Sequence, residues 1–99
     1  MLIRKVYTKN NDYLEVSDRG DIYHNGVELR KLEHTKTGYL YVNNQNNTYL
    51  VHRLVASAFI MPLERGDRTL QVHHINGDKK DNRVENLKVM RMEEHQRLY

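Results

Sequence analysis

The chain has no cysteine and no tryptophan, and only one proline and one phenylalanine among its 99 residues. Without cysteine there is neither a disulfide framework nor a thiolate zinc site, and an intracellular setting is allowed. No stretch approaches the roughly 18 apolar residues that a membrane span requires, and the charged start MLIRK is unlike a signal peptide. The sequence therefore predicts a soluble protein.

Apolar residues are also scarce, at 38% of the chain, and seven tyrosines supply nearly all of the aromatic surface. A single domain of this length buries only about two-thirds of the surface of its unfolded chain, so the core should be thin. The formal net charge is +3. Such a mild basic excess permits a nucleic-acid partner but does not indicate one, because solvated surfaces often carry it.

The first half of the chain alternates apolar and polar residues, which is the period of two expected of β-strands. The alternation runs through Tyr13 to Val16, Asp21 to Tyr23 and Tyr39 to Val42, with turn signals at Ser17 to Gly20, Asn25-Gly26 and Asn43 to Asn47. Asn-Gly is the preferred two-residue hairpin turn because both residues tolerate a positive φ. These patterns predict a small antiparallel β meander within residues 1–50.

The period changes in residues 51–61. Apolar residues recur there at the spacing of one helix face, at Val51, Leu54, Val55, Ala58 and Phe59. We expect an amphipathic helix that ends before Pro62 and lies across the meander. His52 falls outside the stripe and is interpreted as structural or solvated. Arg53 also lies outside the stripe. Its two interpretations are a contact to a phosphate backbone and a member of a solvated helix face.

The segment LQVHHINGDKKDNRVENLKVMRMEEHQ, residues 70–96, raises the question of chemistry because it places three histidines around an irregular loop. The pattern predicts a strand ending in His73 and His74, a long loop, a second strand in LKVM and a short final helix in EEHQRLY. Successive strand residues point to opposite faces, so the two adjacent histidines should diverge instead of chelating one ion side by side.

This arrangement suits phosphodiester hydrolysis, which needs a base for the attacking water and a cation for the phosphoryl and departing oxygens. A neutral imidazole can act as the base because its unperturbed pKa lies near 6.5, close to working pH. His74 is the candidate base, while His95 could reach across the loop to complete a metal site with His73. The amide of Asn86 has both donors and acceptors, so it can join two loop segments.

In this order and spacing, His74, Asn86 and His95, with His73 just ahead, resemble the HNH motif of the ββα-metal nucleases. The runs VHRLVASAFI and VHHINGDKKDNRVENLKVM are similar to the small HNH endonucleases of bacteriophages and group I introns, the homing type. The resemblance covers residues 51–96, and the preceding β-rich segment is a looser likeness.

The resemblance implies an α+β fold in a single HNH endonuclease domain over residues 1–99. It would consist of an N-terminal antiparallel β meander in residues 1–50, one amphipathic helix in residues 51–61 and a C-terminal ββα-metal motif in residues 69–99. The family comparison further implies a protein of the bacterial cytoplasm, encoded by a phage, with no association with membranes.

The resemblance also implies the roles of the site residues. His74 would be the general base, Asn86 would brace the loop and orient the base, and His73 and His95 would hold one divalent metal ion. Many relatives have Asp in the place of His73 and Asn in that of His95. Mg²⁺ or Mn²⁺ is the implied cofactor, and Ni²⁺ or Zn²⁺ stays open because imidazole suits Mn²⁺, Ni²⁺ and Zn²⁺ better than Mg²⁺.

The implied partner is double-stranded DNA, which would be nicked to leave 5′-phosphate and 3′-hydroxyl ends. Arg53, Lys79, Lys80 and Arg83 are candidate contacts to the DNA backbone, although the three loop cations also fit a solvated loop. A domain of this size offers roughly 600–1,000 Å² of contact to DNA, so a homodimer or a targeting partner protein could be needed. The alternative function is a DNA-binding or regulatory module that has the HNH fold without cleavage.

Overall fold

The computed structural model describes residues 1–63 and 69–91, apart from the side chain of Asn10. These residues contain nine strands and one α-helix. They are β1 (Ile3–Tyr7), β2 (Tyr13–Ser17), β3 (Ile22–His24), β4 (Val27–Glu28), β5 (Leu32–Glu33), β6 (Leu40–Asn44), β7 (Asn47–Leu50), α1 (Val51–Phe59), β8 (Leu70–His74) and β9 (Leu87–Arg91). Within the described ranges, no helix is long and apolar enough to cross a membrane.

The first sheet is antiparallel, with the strand order β1-β2-β3-β4. Asn25 (φ 52°) and Gly26 (φ 79°) form the turn between β3 and β4, as the Asn-Gly signal predicts. β2 and β3 bury Leu14, Val16 and Ile22 completely, whereas β1 is largely exposed. The sequence pattern did not predict β1, because this edge strand carries charges and has no buried apolar face.

A second antiparallel sheet, with the order β5-β6-β7, is separate from the first. The predicted single meander is therefore two sheets. Gln45 (φ 50°) and Asn46 (φ 65°) form a two-residue turn, shorter than the expected turn over residues 43–47. The two residues have the positive φ values that a tight hairpin of this type needs. Val42 is the fully buried residue of β6.

Helix α1 covers nine residues and ends at Phe59, two residues short of the predicted end and before Pro62. Val51, Leu54 and Val55 of the predicted stripe are buried, and the helix contacts strands of all three sheets. It thus closes the core between them, as expected. His52 departs from the amphipathic pattern, because it lies outside the apolar stripe and is nevertheless buried.

The third sheet is the β8-β9 hairpin, in which His73 is opposite Lys88 and His74 is opposite Leu87. Val72 and Leu87 join the common core. The loop between the strands is tied to the first sheet, since the Val84 N–H donates to the Asp18 carbonyl at 2.9 Å. Both predicted strands are present, whereas the predicted final helix lies outside the described residues.

Candidate active site

The two adjacent histidines of β8 diverge, as the period of a strand requires. His74 points inward and is 5% exposed, whereas His73 is exposed at the surface. Both line an open pocket of about 120 Å³, together with Tyr39, Gly77 and Lys79. A water molecule occupies about 30 Å³ of the liquid, so the pocket has room for a few of them beside the two imidazoles.

The ring of His74 lies against two other rings, one from the residue just before β6 and one from helix α1. Tyr39 stacks on His52 with 4.6 Å between ring centroids and an interplanar angle of 24°. The Tyr39 centroid is 5.9 Å from that of His74, and the His52 centroid is 5.1 Å from it. The candidate base is therefore packed within a cluster of three rings that come from three different parts of the fold.

Burial strongly lowers the pKa of His52, the second imidazole of this cluster. His52 is 6% exposed, and desolvation lowers its pKa to about 3, with further lowering from the charges of His74 and Arg53. His52 is therefore neutral at working pH. A second positive charge next to the candidate base is avoided, and the ring can pack as an apolar surface.

Asn86 joins the two ends of the loop that connects β8 to β9. Its Oδ1 accepts from the Asn76 N–H at 3.0 Å, and its Nδ2 donates to the Asn76 Oδ1 and to the Asp81 carbonyl, each at 2.9 Å. The side chain is 6% exposed. Its amide thus bonds loop segments on both sides, and the backbone bond from Ile75 N–H to the Asn86 carbonyl, at 2.8 Å, closes the same loop.

Replacing Asn86 with alanine is expected to destabilise the protein, because the Asn76 N–H and the Asp81 carbonyl lose a buried partner. Each hydrogen bond of this kind contributes about 0.5–1.5 kcal/mol to stability. Urea denaturation of Asn86→Ala would measure the loss. Asn43→Ala is the matched control, since Asn43 is exposed and bonds only the nearby Thr48 hydroxyl among the contacts described. Equal stability of the two variants would contradict a bracing role for Asn86.

Asn82 provides the hydrogen bond to the candidate base. Its Oδ1 lies 2.7 Å from the Nε2 of His74, and the Asn82 side chain is 4% exposed. The sequence pattern identified Asn82 only as a loop residue. No periodicity marks an amide in an irregular loop, so this contact becomes visible only once the loop is folded.

The four candidate DNA contacts bond groups of the protein itself. Arg53 donates to the Leu70 carbonyl at 3.0 Å, which attaches helix α1 to β8. Lys79 donates to the Thr37 carbonyl at 2.6 Å and lies 4.8 Å above the Tyr39 ring. Lys79 thus lines the pocket, whereas Arg53 bonds the first residue of β8.

The other two cations are exposed on the loop. Lys80 forms an ion pair with Glu33 at 3.1 Å. Arg83 binds both oxygens of Asp81 at 2.8 Å, and its guanidinium lowers the pKa of that carboxyl to about 2. The Asp81 carboxylate stays ionised at working pH and holds Arg83 beside the loop.

The proposed metal site has one ligand in the described part of the chain. His73 lines the pocket next to His74, whereas His95 lies outside the described residues. Residues 1–63 and 69–91 contain no group of three or more side chains that could enclose a metal ion. Within the described residues the predicted donor set is therefore one exposed imidazole at the pocket edge, and a metal site needs further ligands.

Comparison with known proteins agrees with this geometry. Residues 49–97 match the family model described as HNH endonuclease. Over that span, just under half of its length, the chain is similar to HNH endonucleases.

Two individual HNH homing endonucleases are also similar to this chain. YosQ of Bacillus subtilis (strain 168), an SPbeta prophage-derived protein named for HNH homing endonucleases, is 40% identical over 58 residues. These are 59% of this chain and 32% of YosQ. A solved structure of the HNH homing endonuclease I-HmuI, which concerns DNA binding and cleavage, is 28% identical to this chain in sequence, with a TM-score of 0.70. It matches 95% of this chain and 56% of the I-HmuI chain, so this chain spans only part of either relative.

Proposed function

We propose that the protein is a metal-dependent DNA endonuclease that nicks duplex DNA and leaves 5′-phosphate and 3′-hydroxyl ends. The observation that carries this proposal is the contact between His74 and Asn82 inside a loop braced by Asn86. A buried imidazole with one ring nitrogen bonded to an amide oxygen, at the edge of a pocket with room for water, is arranged as a base for an attacking water. The match of residues 49–97 to the HNH endonuclease family model supports a nuclease.

His74 is the proposed general base in this reaction, and it would take the proton of the attacking water. Asn86 keeps the loop in the shape that presents the base. HNH nucleases generally use a divalent metal, and His73 and His95 are the proposed ligands here. When bound, that ion supplies a positive charge for the phosphoryl and leaving oxygens.

DNA is the proposed substrate, and the I-HmuI structure supports it because that relative was solved in the context of DNA binding and cleavage. Lys79, Lys80 and Arg83 lie on the loop that borders the pocket, where they could exchange an internal partner for a phosphate oxygen. Arg53 bonds the Leu70 carbonyl of β8, so we propose a supporting role for it in addition to a phosphate contact.

The first test is nicking of supercoiled plasmid by the purified chain with Mg²⁺, Mn²⁺, Ni²⁺ or Zn²⁺, or with EDTA. Metal-dependent conversion to the open circular form is expected, and end labelling should find 5′-phosphates. A plasmid that stays supercoiled with every metal, although the chain retards DNA in a gel, would favour a non-cleaving DNA-binding module.

Replacement of His73 by alanine should weaken binding of Mn²⁺ by at least about tenfold, since even residues behind a metal ligand contribute that much. Isothermal titration calorimetry without DNA measures this directly. His34→Ala is the matched control, because His34 is exposed and lies in a turn that does not line the pocket. Equal affinity of the His73 variant and the wild type would exclude His73 as a ligand.

A further inference from the structure

Asn82 is a buried residue of the site whose own task the proposed roles do not specify. Its Oδ1 lies 2.7 Å from the Nε2 of His74, and both residues are almost fully buried. A contact this short lies at the strong end of the range for a nitrogen donor and an oxygen acceptor. Water does not compete for it, so the bond is stronger than the same contact at the surface.

The chemistry of an amide oxygen determines which ring nitrogen carries the proton. An amide oxygen only accepts, so the Nε2 of His74 must donate to it. A neutral imidazole has one protonated and one unprotonated nitrogen. With the proton on Nε2, the lone pair needed to accept a proton from water is on Nδ1.

The position of Asn82 is itself fixed by close packing against the first sheet. A Cβ atom added to Gly20 would lie 3.1 Å from both the Cβ and the carbonyl oxygen of Asn82, and Gly20 has a φ of +91°. Glycine is therefore required there both for space and for conformation. Two residues after Asn82, the Val84 N–H donates to the Asp18 carbonyl and ties the loop to the same turn between β2 and β3.

The remaining freedom of the His74 ring is its tilt, and the neighbouring rings limit it. Tyr39 and His52 pack against His74, while Asn82 bonds an atom at the edge of its ring. The packing contacts restrict the tilt of the ring, and the hydrogen bond fixes the position of its Nε2 atom. Packing alone leaves the tautomer undetermined, because either nitrogen could carry the proton.

We infer that Asn82 is a positioning residue for the general base: its side-chain oxygen holds His74 in the Nε2-protonated tautomer, with Nδ1 free to accept the proton of water. This inference deepens the proposed nuclease function and rests on it. Asn82 thereby has a different task from Asn86, which bonds the loop and does not contact the base in the hydrogen bonds described.

The direct test is the tautomer of His74, read by ¹⁵N NMR of the full chain labelled at histidine, in alkaline buffer. The His74 signals are assigned from their loss in His74→Gln. We expect the wild type to show protonated Nε2 and unprotonated Nδ1. Protonated Nδ1 would mean that the Asn82 amide donates instead, and it would overturn the inference.

Two variants of Asn82 separate the hydrogen bond from a merely structural role. Asn82→Leu has similar size but no acceptor, and we expect a mixture of tautomers and a single-turnover cleavage rate lower by about 100-fold, as for other small misplacements of a catalytic group. Asn82→Asp keeps an acceptor, so it should keep the Nε2-protonated signal and recover most of the rate. DNA affinity measured in EDTA should be the same in all three proteins.

Asn43→Ala serves as the matched control for loss of an amide, and it should match the wild type in both the tautomer and the rate. An unchanged tautomer in Asn82→Leu would overturn the inference even if the rate fell. A wild type with the expected tautomer that fails to cleave DNA with any metal would overturn the proposed nuclease function, while the positioning contact would be supported.

Discussion

Replacement of His74 by alanine is expected to lower the single-turnover rate of DNA cleavage by about 10²- to 10⁴-fold, the range that a positioned general acid or base contributes. His74 is the imidazole that combines a fixed hydrogen bond to Asn82 with a place at the pocket. Without it, the attacking water has no base in that position. Cleavage of a labelled duplex, with enzyme in excess over DNA, measures the chemical step.

The size of the effect must be separated from damage to the fold, because alanine also leaves a gap beside Tyr39 and His52. His74→Gln fills more of that gap and keeps an amide donor for Asn82, so its melting temperature should stay nearer to that of the wild type. His24→Ala is the matched control, since His24 bonds Asp12 in the first sheet, away from the site. Cleavage at the wild-type rate by folded His74→Gln would remove His74 from the role of base.

Acid should destabilise the protein through His52 well before the carboxylates are protonated. Burial lowers the pKa of His52 from 6.5 to about 3 in the folded state, while the unfolded chain keeps the usual value. Between these values the unfolded state binds the proton and the folded state does not, so the free energy of unfolding falls as the pH falls below 6.5. Above that pH, His52 is neutral in both states and the contribution disappears.

The free energy of unfolding should fall by about 1.4 kcal/mol for each pH unit. The total loss by the acidic end of this window should be about 4–5 kcal/mol. That is comparable to the whole stability of a marginal domain, which is about 5–15 kcal/mol. Urea denaturation at a series of pH values measures the slope. His52→Phe keeps a ring against Tyr39 but cannot be protonated, so its slope between weakly acidic and neutral pH should be shallower.

His34→Gln, which removes an exposed imidazole, is the matched control for that experiment and should retain the wild-type slope. Identical slopes for the wild type and His52→Phe would show that His52 does not govern the acid sensitivity. Asp81, whose pKa Arg83 lowers to about 2, acts in a more acidic range, so its contribution can be distinguished by pH.

The sequence predicted the elements whose periodicity is complete within a few residues. The helix stripe of Val51, Leu54 and Val55 and the divergence of His73 from His74 follow from local geometry, and the structure has both. β1 was missed because an exposed edge strand needs no alternating apolar face. The split into two sheets was also missed, since alternation shows where strands occur but not which strands pair.

The site was only partly predictable for a related reason. Motif spacing identified the histidines and Asn86, because these residues are close in sequence. Tyr39 reaches His74 only because the second sheet and β8 pack on the same helix, and no local pattern reports this proximity. His52 was interpreted as structural or solvated, and it is buried, because a neutral imidazole can be buried when an aromatic ring covers it.

The ring cluster has a consequence for how this nuclease motif could be reused. Tyr39 precedes residues 49–97, the part that matches the family, yet its ring packs against the candidate base and beneath Lys79. The contacts that hold the candidate base therefore extend beyond the segment that matches the family model. A designer who transplanted the β8-β9 hairpin and its loop into a new scaffold would also have to supply a flat ring in the place of Tyr39.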